Sequence, residues 1–255
     1  MSIVISKTHR LNRVHFPYEL AIIARHSVDV FQKNTLSLLQ QYHIPASKIT
    51  LFLDPSRKDE YKTQLVHGSI GKIVVVSKKW HVYNFISKFY EVGTPLIYMQ
   101  DNIQELVMKN EEDGTLQTLN SLLYLLKRGF AFCGQHGARL WGVYPYANAS
   151  FLKKEVTTTL KYIHPLLWGT INPGVSLQYK TNLCTDYERC LQYYKVDHKI
   201  IRLNDISCIE QKIKTEKDYD EIKKEHDFLY QQYQPWVIVQ KDKHNHSILS
   251  FAKDV

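Results

Sequence analysis

The alternation of apolar and amphipathic segments between residues 19 and 102 constrains the fold more than any other feature of the sequence. Short apolar runs typical of buried strands occur at 19–27 ("ELAIIARHS"), 48–54 ("KITLFLD"), 71–77 ("GKIVVVS") and 94–102 ("TPLIYMQDN"). Stretches that resemble helices lie between them, at 29–44, 57–66 and 81–93. Apolar strands that alternate with helices are typical of a largely parallel sheet. The sequence therefore predicts an α/β fold with a mostly parallel central sheet.

Polar residues follow three of these predicted strands at their carboxyl ends. The three groups are Arg25-His26-Ser27, Asp54 and Gln100-Asp101-Asn102. Ligands of parallel sheets bind beyond the carboxyl ends of the strands. If the strands share a sheet, we expect the three groups to converge on one edge and to form part of a binding site.

Each of these groups also has a simpler structural explanation. The Asp101 carboxylate could hold Mg²⁺ or Mn²⁺, with Asn102 as a weaker neutral ligand, or it could only cap a turn. Asp54 could accept a hydrogen bond from a uracil imide or a ribose hydroxyl, but Asp-Pro is also a common start of a turn. Ser27 or Asp29 could be only the N-cap of the helix that follows.

The second half of the chain has a less regular pattern. Helices are predicted at 115–130 (ending at Gly129), 186–194 and 216–233, and strands at 138–152 (with a loop), 157–172, 198–206 and 235–242. Asp186 opens the second helix, where it could act as a general base or could only cap the helix. Because no repeat or low-complexity linker interrupts the sequence, we expect one integrated domain.

Composition and missing motifs narrow the classes of protein. The formal net charge of +8 favours polyanionic partners, either nucleic acid or a phosphate-bearing small molecule. The four cysteines lack zinc-like spacing, so they are predicted to be buried thiols. No GxSxG, P-loop or GxGxxG motif occurs, which argues against hydrolases, nucleotide triphosphatases and dinucleotide enzymes. With no apolar stretch near the ~20 residues of a membrane helix and no signal-peptide pattern, we expect a cytoplasmic protein.

The order of these segments resembles the nucleotide-sugar glycosyltransferases associated with TET/JBP oxygenases. That family includes the base J glucosyltransferase and many proteins of large DNA viruses. The resemblance covers roughly residues 19–206, and its most specific pieces are "LWGVYP…N…F" and the "DYER" helix followed by "KIIRLN". It implies a GT-A fold, which is a Rossmann-like α/β/α sandwich, in a single domain over 1–255. Residues 19–110 would form the nucleotide-binding half and residues 111–255 the acceptor-binding half.

The resemblance also implies roles for particular residues. Asp101 and Asn102 would hold Mn²⁺ or Mg²⁺, and Asp186 would be the catalytic base of an inverting transfer. The nucleotide would be bound by Ala24, Arg25, His26, Asp54, Asn84 and Asp101. The sugar or acceptor pocket would be lined by Trp141, Tyr144 and Asn148, for which a packed aromatic core is the alternative.

This chain departs from the family pattern at three places. Gln100-Asp101-Asn102 stands where the family often has a run of aspartates, Tyr83-Asn84 where it has Arg-Asn, and Thr185-Asp186 where it has Glu-Asp. These departures put tight metal binding in doubt, and they leave open either catalysis with a weakly bound metal or a degenerate copy that is not catalytic.

The predicted function is transfer of glucose or N-acetylglucosamine from a UDP-sugar to a hydroxyl group. The acceptor could be a hydroxymethylpyrimidine in DNA, a protein or a glycan, and a viral protein would act in the host cytoplasm or the virion. The alternative is a non-catalytic nucleic-acid-binding protein with a degenerate glycosyltransferase fold. Such a protein would use its basic charge and exposed aromatic side chains for phosphate contact and base stacking.

Overall fold

The structure, a computed structural model, describes residues 16–79, 81–214 and 218–252. Its strands are β1 (Glu19–Ala24), β2 (Ile49–Leu53), β3 (Lys72–Val75), β4 (Pro95–Gln100), β5 (Ile103–Lys109), β6 (Leu116–Thr118), β7 (Leu140–Tyr144), β8 (Val156–Thr157), β9 (Leu167–Ile171), β10 (Ile201–Glu210), β11 (Val237–Lys241) and β12 (Ser247–Phe251). Its α-helices are α1 (Val28–Phe31), α2 (Ser37–Gln41), α3 (Lys58–Gln64), α4 (Val82–Phe89), α5 (Leu122–His136), α6 (Thr185–Asp197) and α7 (Tyr219–Tyr233).

One mixed sheet runs through both halves of the chain in the order β3-β2-β1-β4-β9-β7-β10-β5-β6, and β8 pairs with β10. The first four strands are parallel neighbours, so that Leu20 of β1 lies between Ile49 of β2 and Ile97 of β4. Strand β9 runs antiparallel to both β4 and β7. The order 3-2-1-4 is that of a Rossmann-type nucleotide-binding half, and the predicted α/β class is confirmed.

Helices cover both faces of this sheet because successive strand residues point to opposite sides. In β1, Leu20 and Ile22 join a core with α1, α2, α3 and α5, while Ala21 and Ile23 join a second core with α4, α6 and α7. Both cores are apolar, and neither depends on residues from only one half of the chain. The result is a three-layer α/β/α sandwich.

At the turn between β4 and β5, the chain passes from one part of the sheet to the other. Strand β4 ends at Gln100, Asp101 and Asn102 form the turn, and β5 begins at Ile103. Strand β5 does not continue beside β4 but pairs with β10 on the far side of β9 and β7. The sequence pattern did not predict β5. Because β5 pairs with β10, the turn before it lies between the two parts of the sheet.

A π-helical segment, Gln32–Leu36, joins α1 to α2 and supports this turn. Thr35 lies on it with no exposed surface, and its hydroxyl donates to the Gln100 carbonyl at 2.7 Å. The same hydroxyl accepts a hydrogen bond from the Ile103 amide at 2.9 Å. The irregular helix therefore satisfies two backbone groups at the break between β4 and β5. Ser27 is the N-cap of α1, which is the simpler of the two explanations that the sequence offered for it.

The helix predicted at 115–130 is wrong at both ends. Residues up to Thr118 form β6 beside β5, and α5 begins only after Ser121, whose hydroxyl accepts a hydrogen bond from the Tyr124 amide. Gly129 lies inside the helix and does not end it. It packs against the Trp141 ring, where an added Cβ would come within 2.4 Å, so the close contact explains the glycine. Gly137, with φ of 67°, is the residue that ends α5.

Other predicted boundaries were too generous or incomplete. Within 157–172 only the last part forms a long strand, β9, because residues 158–166 run irregularly over the sheet. The predicted last strand is β11, and β12, which pairs with it, was missed. Residues 216 and 217 of the predicted charged helix lie outside the described residues. All four cysteines are buried thiols, as predicted. Within the described residues, no helix combines the length and the apolar character needed to span a bilayer.

Candidate functional site

A cleft of about 410 Å³ opens beyond the carboxyl ends of β1, β2 and β3. Its floor is apolar and includes Ile23, Phe52 and Val76. Its polar lining includes Arg25, Asp54, Arg57, Ser77, Lys78, His81, Asn182 and Thr185. The expected convergence of Arg25 and Asp54 on one edge of the sheet is therefore present, and Ala24 lines the cleft beside them.

The lining of the cleft is predominantly positive. Arg25 and Lys78 are exposed, and Arg57 makes a 3.2 Å ion pair with Glu60. Among the described residues of the lining, Asp54 is the one carboxylate, and the positive charges of Lys78 and Arg57 act on it. Three cations around one carboxylate favour an anionic ligand.

Asp54 is held in an ionised state by the turn that it starts. Its Oδ1 accepts hydrogen bonds from the Ser56 amide at 2.9 Å and from the Ser56 hydroxyl at 2.6 Å. The hydroxyl bond is the largest cause that lowers the pKa of Asp54, and the amide bond adds to it. Because both bonds use Oδ1, the other carboxylate oxygen can accept a hydrogen bond from a ligand.

His81 is a neutral member of the lining. Its Nε2 lies 2.8 Å from the Thr181 carbonyl, which can only accept, so Nε2 carries the proton. Burial lowers the pKa of His81, and the charge of Arg25 lowers it further. The ring stacks on Tyr179 with 5.6 Å between ring centroids. His81 therefore contributes shape and a fixed hydrogen bond but no charge to the cleft at neutral pH.

Asp101 lies beneath the cleft and not in its lining. Its side chain has no exposed surface. Oδ2 accepts hydrogen bonds from the backbone amides of Arg25 at 2.8 Å and His26 at 2.7 Å, and Oδ1 accepts one from His26 Nδ1 at 2.6 Å. Asp101 therefore fixes the loop between β1 and α1, from which the Arg25 side chain enters the cleft. The Tyr61 hydroxyl adds a 3.1 Å bond to the His26 carbonyl.

Asn102 ties the same turn to the end of β10. Its Nδ2 donates to Glu210 Oε2 and to the Gln211 carbonyl, both at 3.0 Å. Its Oδ1 is buried and has no hydrogen-bond partner in the described part of the chain. The Asp101-Asn102 turn thus holds together the β1 loop, the π-helical segment and β10.

The oxygens of this turn do not fit the predicted Mn²⁺ or Mg²⁺. A cation at Asp101 would have to replace hydrogen bonds that both carboxylate oxygens already make, and the one fully buried side-chain oxygen of the described turn that has no partner, Asn102 Oδ1, is neutral. Hard divalent cations prefer several oxygen ligands, usually including carboxylates. Among the described residues, no three His, Cys, Asp or Glu side chains are placed to hold an ion together. No chemical step is therefore assigned to a metal at this turn.

One wall of the cleft is a loop held by two buried carboxylates. This wall loop, residues 180–184, contributes Asn182 to the lining. Glu188 accepts hydrogen bonds from the amides of Lys180 and Thr181, and Glu225 accepts from those of Asn182, Leu183 and Cys184. Glu188 lies on α6 and Glu225 on α7, so two helices fix the wall.

Asn84 acts in the same way on the segment that precedes the wall loop. It is buried, its Nδ2 donates to the Tyr179 carbonyl, and its Oδ1 accepts from the Tyr179 amide, both at 2.8 Å. Asn84 therefore joins α4 to this segment and does not line the cleft. The nucleotide contact predicted for it is not part of the observed lining.

Asp186 lies in the first turn of α6, next to Thr185, which lines the cleft. The Asp186 side chain is half-buried, and its Oδ2 accepts a hydrogen bond from the Tyr162 hydroxyl. Burial and then the charge of Asp186 raise the pKa of Tyr162, so the phenol remains protonated and keeps donating. Asp186 is thus an oriented carboxylate close to the edge of the cleft, and its role as a base stays a prediction.

The three residues predicted to line a sugar or acceptor pocket are not part of the lining of this cleft. Trp141 has no exposed surface and packs between Gly129 and Gly169, which is the alternative given for it. Tyr144 is half-buried under the Arg202 guanidinium, 4.9 Å from the ring centroid. Asn148 is exposed, and its Oδ1 accepts a hydrogen bond from the Ser150 amide at 2.9 Å.

Sequence reasoning missed several residues of the cleft. Lys78 follows β3 and obeys the same strand-end rule that identified Arg25 and Asp54, so the signal was present. Arg57 follows Pro55 and Ser56 in a segment for which the sequence predicted a turn and no contact with a ligand. Asn182 and the two carboxylates that hold the wall loop carry no local signal, because they reach the cleft from the second half of the chain.

Strand order and cleft together define an α/β protein with a Rossmann-like half and an anion-favouring cleft at its carboxyl edge. No protein-family model matches the chain, and no curated protein sequence matches it. Among solved structures it is similar to S. aureus TarS, a glycosyltransferase, at 13% identity and a TM-score of 0.41. The match covers 83% of this chain and 40% of that chain, so this chain spans less than half of the TarS chain. A likeness this weak transfers no residue role, and no match supports the narrower TET/JBP-associated family.

Proposed function

We propose that the protein is a glycosyltransferase whose cleft binds the nucleotide part of a nucleotide sugar. The observation that carries the proposal is the cleft itself, which has an apolar floor and a positive rim beyond β1, β2 and β3. In open α/β sheets, ligands bind beyond the carboxyl ends of the strands, which is where this cleft lies. A nucleotide combines a flat base with an anionic diphosphate, and this lining suits both parts.

Within the cleft, Asp54 is the proposed contact for the nucleoside. Its second carboxylate oxygen is available to accept a hydrogen bond from the imide N–H of uracil or from a ribose hydroxyl. Uracil offers that donor, whereas adenine and cytosine have no imide N–H. The donor that we propose for this contact is a UDP-sugar, with glucose or N-acetylglucosamine as the sugar.

The proposed chemical step is an inverting displacement at the anomeric carbon. The acceptor hydroxyl gives its proton to the Asp186 carboxylate while its oxygen forms a bond to the anomeric carbon. The bond between that carbon and the diphosphate oxygen breaks, and its electron pair leaves with the nucleoside diphosphate. Tyr162 holds the Asp186 carboxylate in place through its hydroxyl. The acceptor is proposed to be a hydroxyl of a hydroxymethylpyrimidine in DNA, a protein or a glycan.

Nucleotide binding tests the first part of the proposal. Isothermal titration calorimetry of the purified protein with UDP and with ADP should show binding of UDP and at least tenfold weaker binding of ADP. Asp54→Asn should weaken UDP binding by roughly 10- to 150-fold, because it removes one charge-assisted hydrogen bond worth about 1.5–3 kcal/mol. Asp113→Asn is the matched control, since Asp113 makes the same type of turn with Thr115 on an exposed loop away from the cleft. Equal binding by both variants would exclude Asp54 as a nucleoside contact.

Turnover tests the second part. Release of UDP from UDP-glucose and UDP-N-acetylglucosamine should be measured with DNA, peptide and glycan acceptors. Asp186→Asn should lower the rate by about 10²–10⁴-fold, as expected for a lost general base, while UDP binding is retained. Asp220→Asn, an exposed acid in the first turn of α7, is the control. An active Asp186→Asn enzyme would remove Asp186 from the mechanism, and salt-sensitive DNA binding without any response to UDP would favour a nucleic-acid-binding protein.

A further inference from the structure

We infer that the protein balances the charge of the donor diphosphate with its own cations, chiefly Arg25 and Lys78, and needs no divalent metal for this. Asp101, the residue that a metal would need, is instead a positioning residue for Arg25. This inference rests on the proposed function, because it concerns how the same cleft binds a nucleoside diphosphate.

Asp101 is engaged by the loop between β1 and α1. Its carboxylate is fully buried and makes three hydrogen bonds of 2.6–2.8 Å to the β1–α1 loop. Two of the donors are the backbone amides of Arg25 and His26, which directly follow the end of β1. A metal at Asp101 would take an oxygen from these donors and leave buried polar groups unsatisfied. The loop and a metal therefore compete for the same oxygens.

Asp101 in turn holds the backbone of Arg25 in place. The backbone of Arg25 is fixed by Asp101, and the loop is fixed again where the Val28 amide donates to Glu60 Oε1 at 2.8 Å. The Arg25 side chain extends from this loop into the cleft, which His81 also lines; burial is the main cause that lowers the pKa of His81, and the charge of Arg25 adds a smaller contribution in the same direction. A preorganised cation at this point can stabilise negative charge without a further conformational cost.

The other cations of the lining are Lys78 and Arg57. Lys78 follows β3 and lines the same cleft, and its charge lowers the pKa of Asp54. Arg57 also lines the cleft but is partly compensated by its ion pair with Glu60. Arg25 and Lys78 therefore carry most of the uncompensated positive charge of the lining. Cations of the protein, aimed at the leaving group, can take over the electrostatic role that a metal ion has in other transfer enzymes.

The test is calorimetric binding of UDP and of uridine to the intact protein, in buffer with EDTA and in buffer with MnCl₂. We expect UDP affinities that agree within twofold between the two buffers. Arg25→Gln and Lys78→Gln should each weaken UDP binding in EDTA by at least tenfold and leave uridine binding unchanged, because uridine lacks the diphosphate. Lys79→Gln is the matched control, since Lys79 is an exposed neighbour that does not line the cleft.

Asp101→Asn tests the positioning role directly. The variant should weaken UDP binding more than uridine binding, and MnCl₂ should not change the ratio. Circular dichroism checks that it folds; should it not fold, the metal response of the unaltered protein and the Arg25→Gln and Lys78→Gln variants decide the question.

Two outcomes overturn the inference in distinguishable ways. Should MnCl₂ strengthen UDP binding more than tenfold, and Asp101→Asn abolish that gain, the cation role is wrong while the proposed function stands. An absence of UDP binding in both buffers would overturn the proposed function itself, and the inference with it.

Discussion

Replacing Glu225 by glutamine should loosen one wall of the cleft from a distance. Glu225 lies on α7, is 7% exposed, and accepts hydrogen bonds from three consecutive backbone amides of the wall loop. The three donor–acceptor distances are 2.7, 2.9 and 2.8 Å. Glutamine keeps the shape of the side chain but offers one acceptor oxygen in place of two, and its NH₂ group must face at least one amide N–H.

The magnitude follows from this geometry. One buried N–H that loses its partner costs about 1–3 kcal/mol, and the remaining bonds lose the advantage of a charged acceptor. Counting that loss as about 0.5–1 kcal/mol for each of the two bonds, Glu225→Gln should lower the free energy of unfolding by roughly 2–5 kcal/mol. For a domain of this size, such a change corresponds to a fall in Tm of roughly 4–20 °C.

The assay is urea unfolding followed by circular dichroism, with UDP titration of the folded variant as the functional measurement. Glu221→Gln is the control on the same helix. It removes the same charge from an exposed side chain that pairs with Lys224, so its effect should stay within about 0.5 kcal/mol. UDP binding should weaken in Glu225→Gln and remain unchanged in Glu221→Gln. Equal stability of the two variants would refute the reasoning that the buried carboxylate holds the wall.

Two further predictions concern the interior. Gly129→Ala should destabilise the protein by about 1–3 kcal/mol through overpacking against Trp141. Gly134→Ala on the same helix, where no neighbouring atom lies within 4 Å of the added Cβ, should stabilise it by about 0.5–1 kcal/mol. Thermal unfolding of both variants checks the opposite signs, and two effects of the same sign would contradict this packing. Burial lowers the pKa of His81 and His226 below the ordinary 6.5, so the unfolded chain binds protons first as the pH falls. The two neutral rings therefore stabilise the fold above the unfolded-state pKa, and this stabilisation is lost as the pH falls below it. The free energy of unfolding should fall between about pH 7.5 and about pH 5.5, and it should fall less steeply in a His81→Gln variant. A flat profile in urea titrations would speak against buried neutral rings.

The strand-end rule predicted a useful part of the site from the sequence. It placed Arg25 and Asp54 at one edge of the sheet, and both line the cleft. It also drew attention to Asp101, which does lie at that edge but faces the β1–α1 loop with both oxygens. Residue type and strand position showed where a carboxylate would be, but they could not show which donors would reach it. Asp101 and Arg25 are 76 residues apart in the chain, and only folding brings them together.

In the second half of the chain, too, the local pattern predicted elements but not the contacts between them. Its periodicity predicted the helix that begins near Asp186, because local backbone preference and one-sided burial are written into neighbouring residues. It did not predict that Glu225, 43 residues after Asn182, would hold the wall of a cleft formed by the first half. It also did not predict that Gly129 would continue a helix rather than end it, since the reason is the ring of Trp141 on a separate strand.

The sequence by itself therefore determined the α/β class, the four apolar strands β1 to β4, and the sheet edge at which Arg25 and Asp54 meet. These properties depend on apolar periodicity and on the rule that parallel strands bring their carboxyl ends together. Tertiary structure alone decided what the "QDN" turn does after β4. Its carboxylate is occupied by amides of a distant loop, so the charge available to a ligand is that of Arg25 and Lys78, because hydrogen-bond partners are set by packing and not by position along the chain.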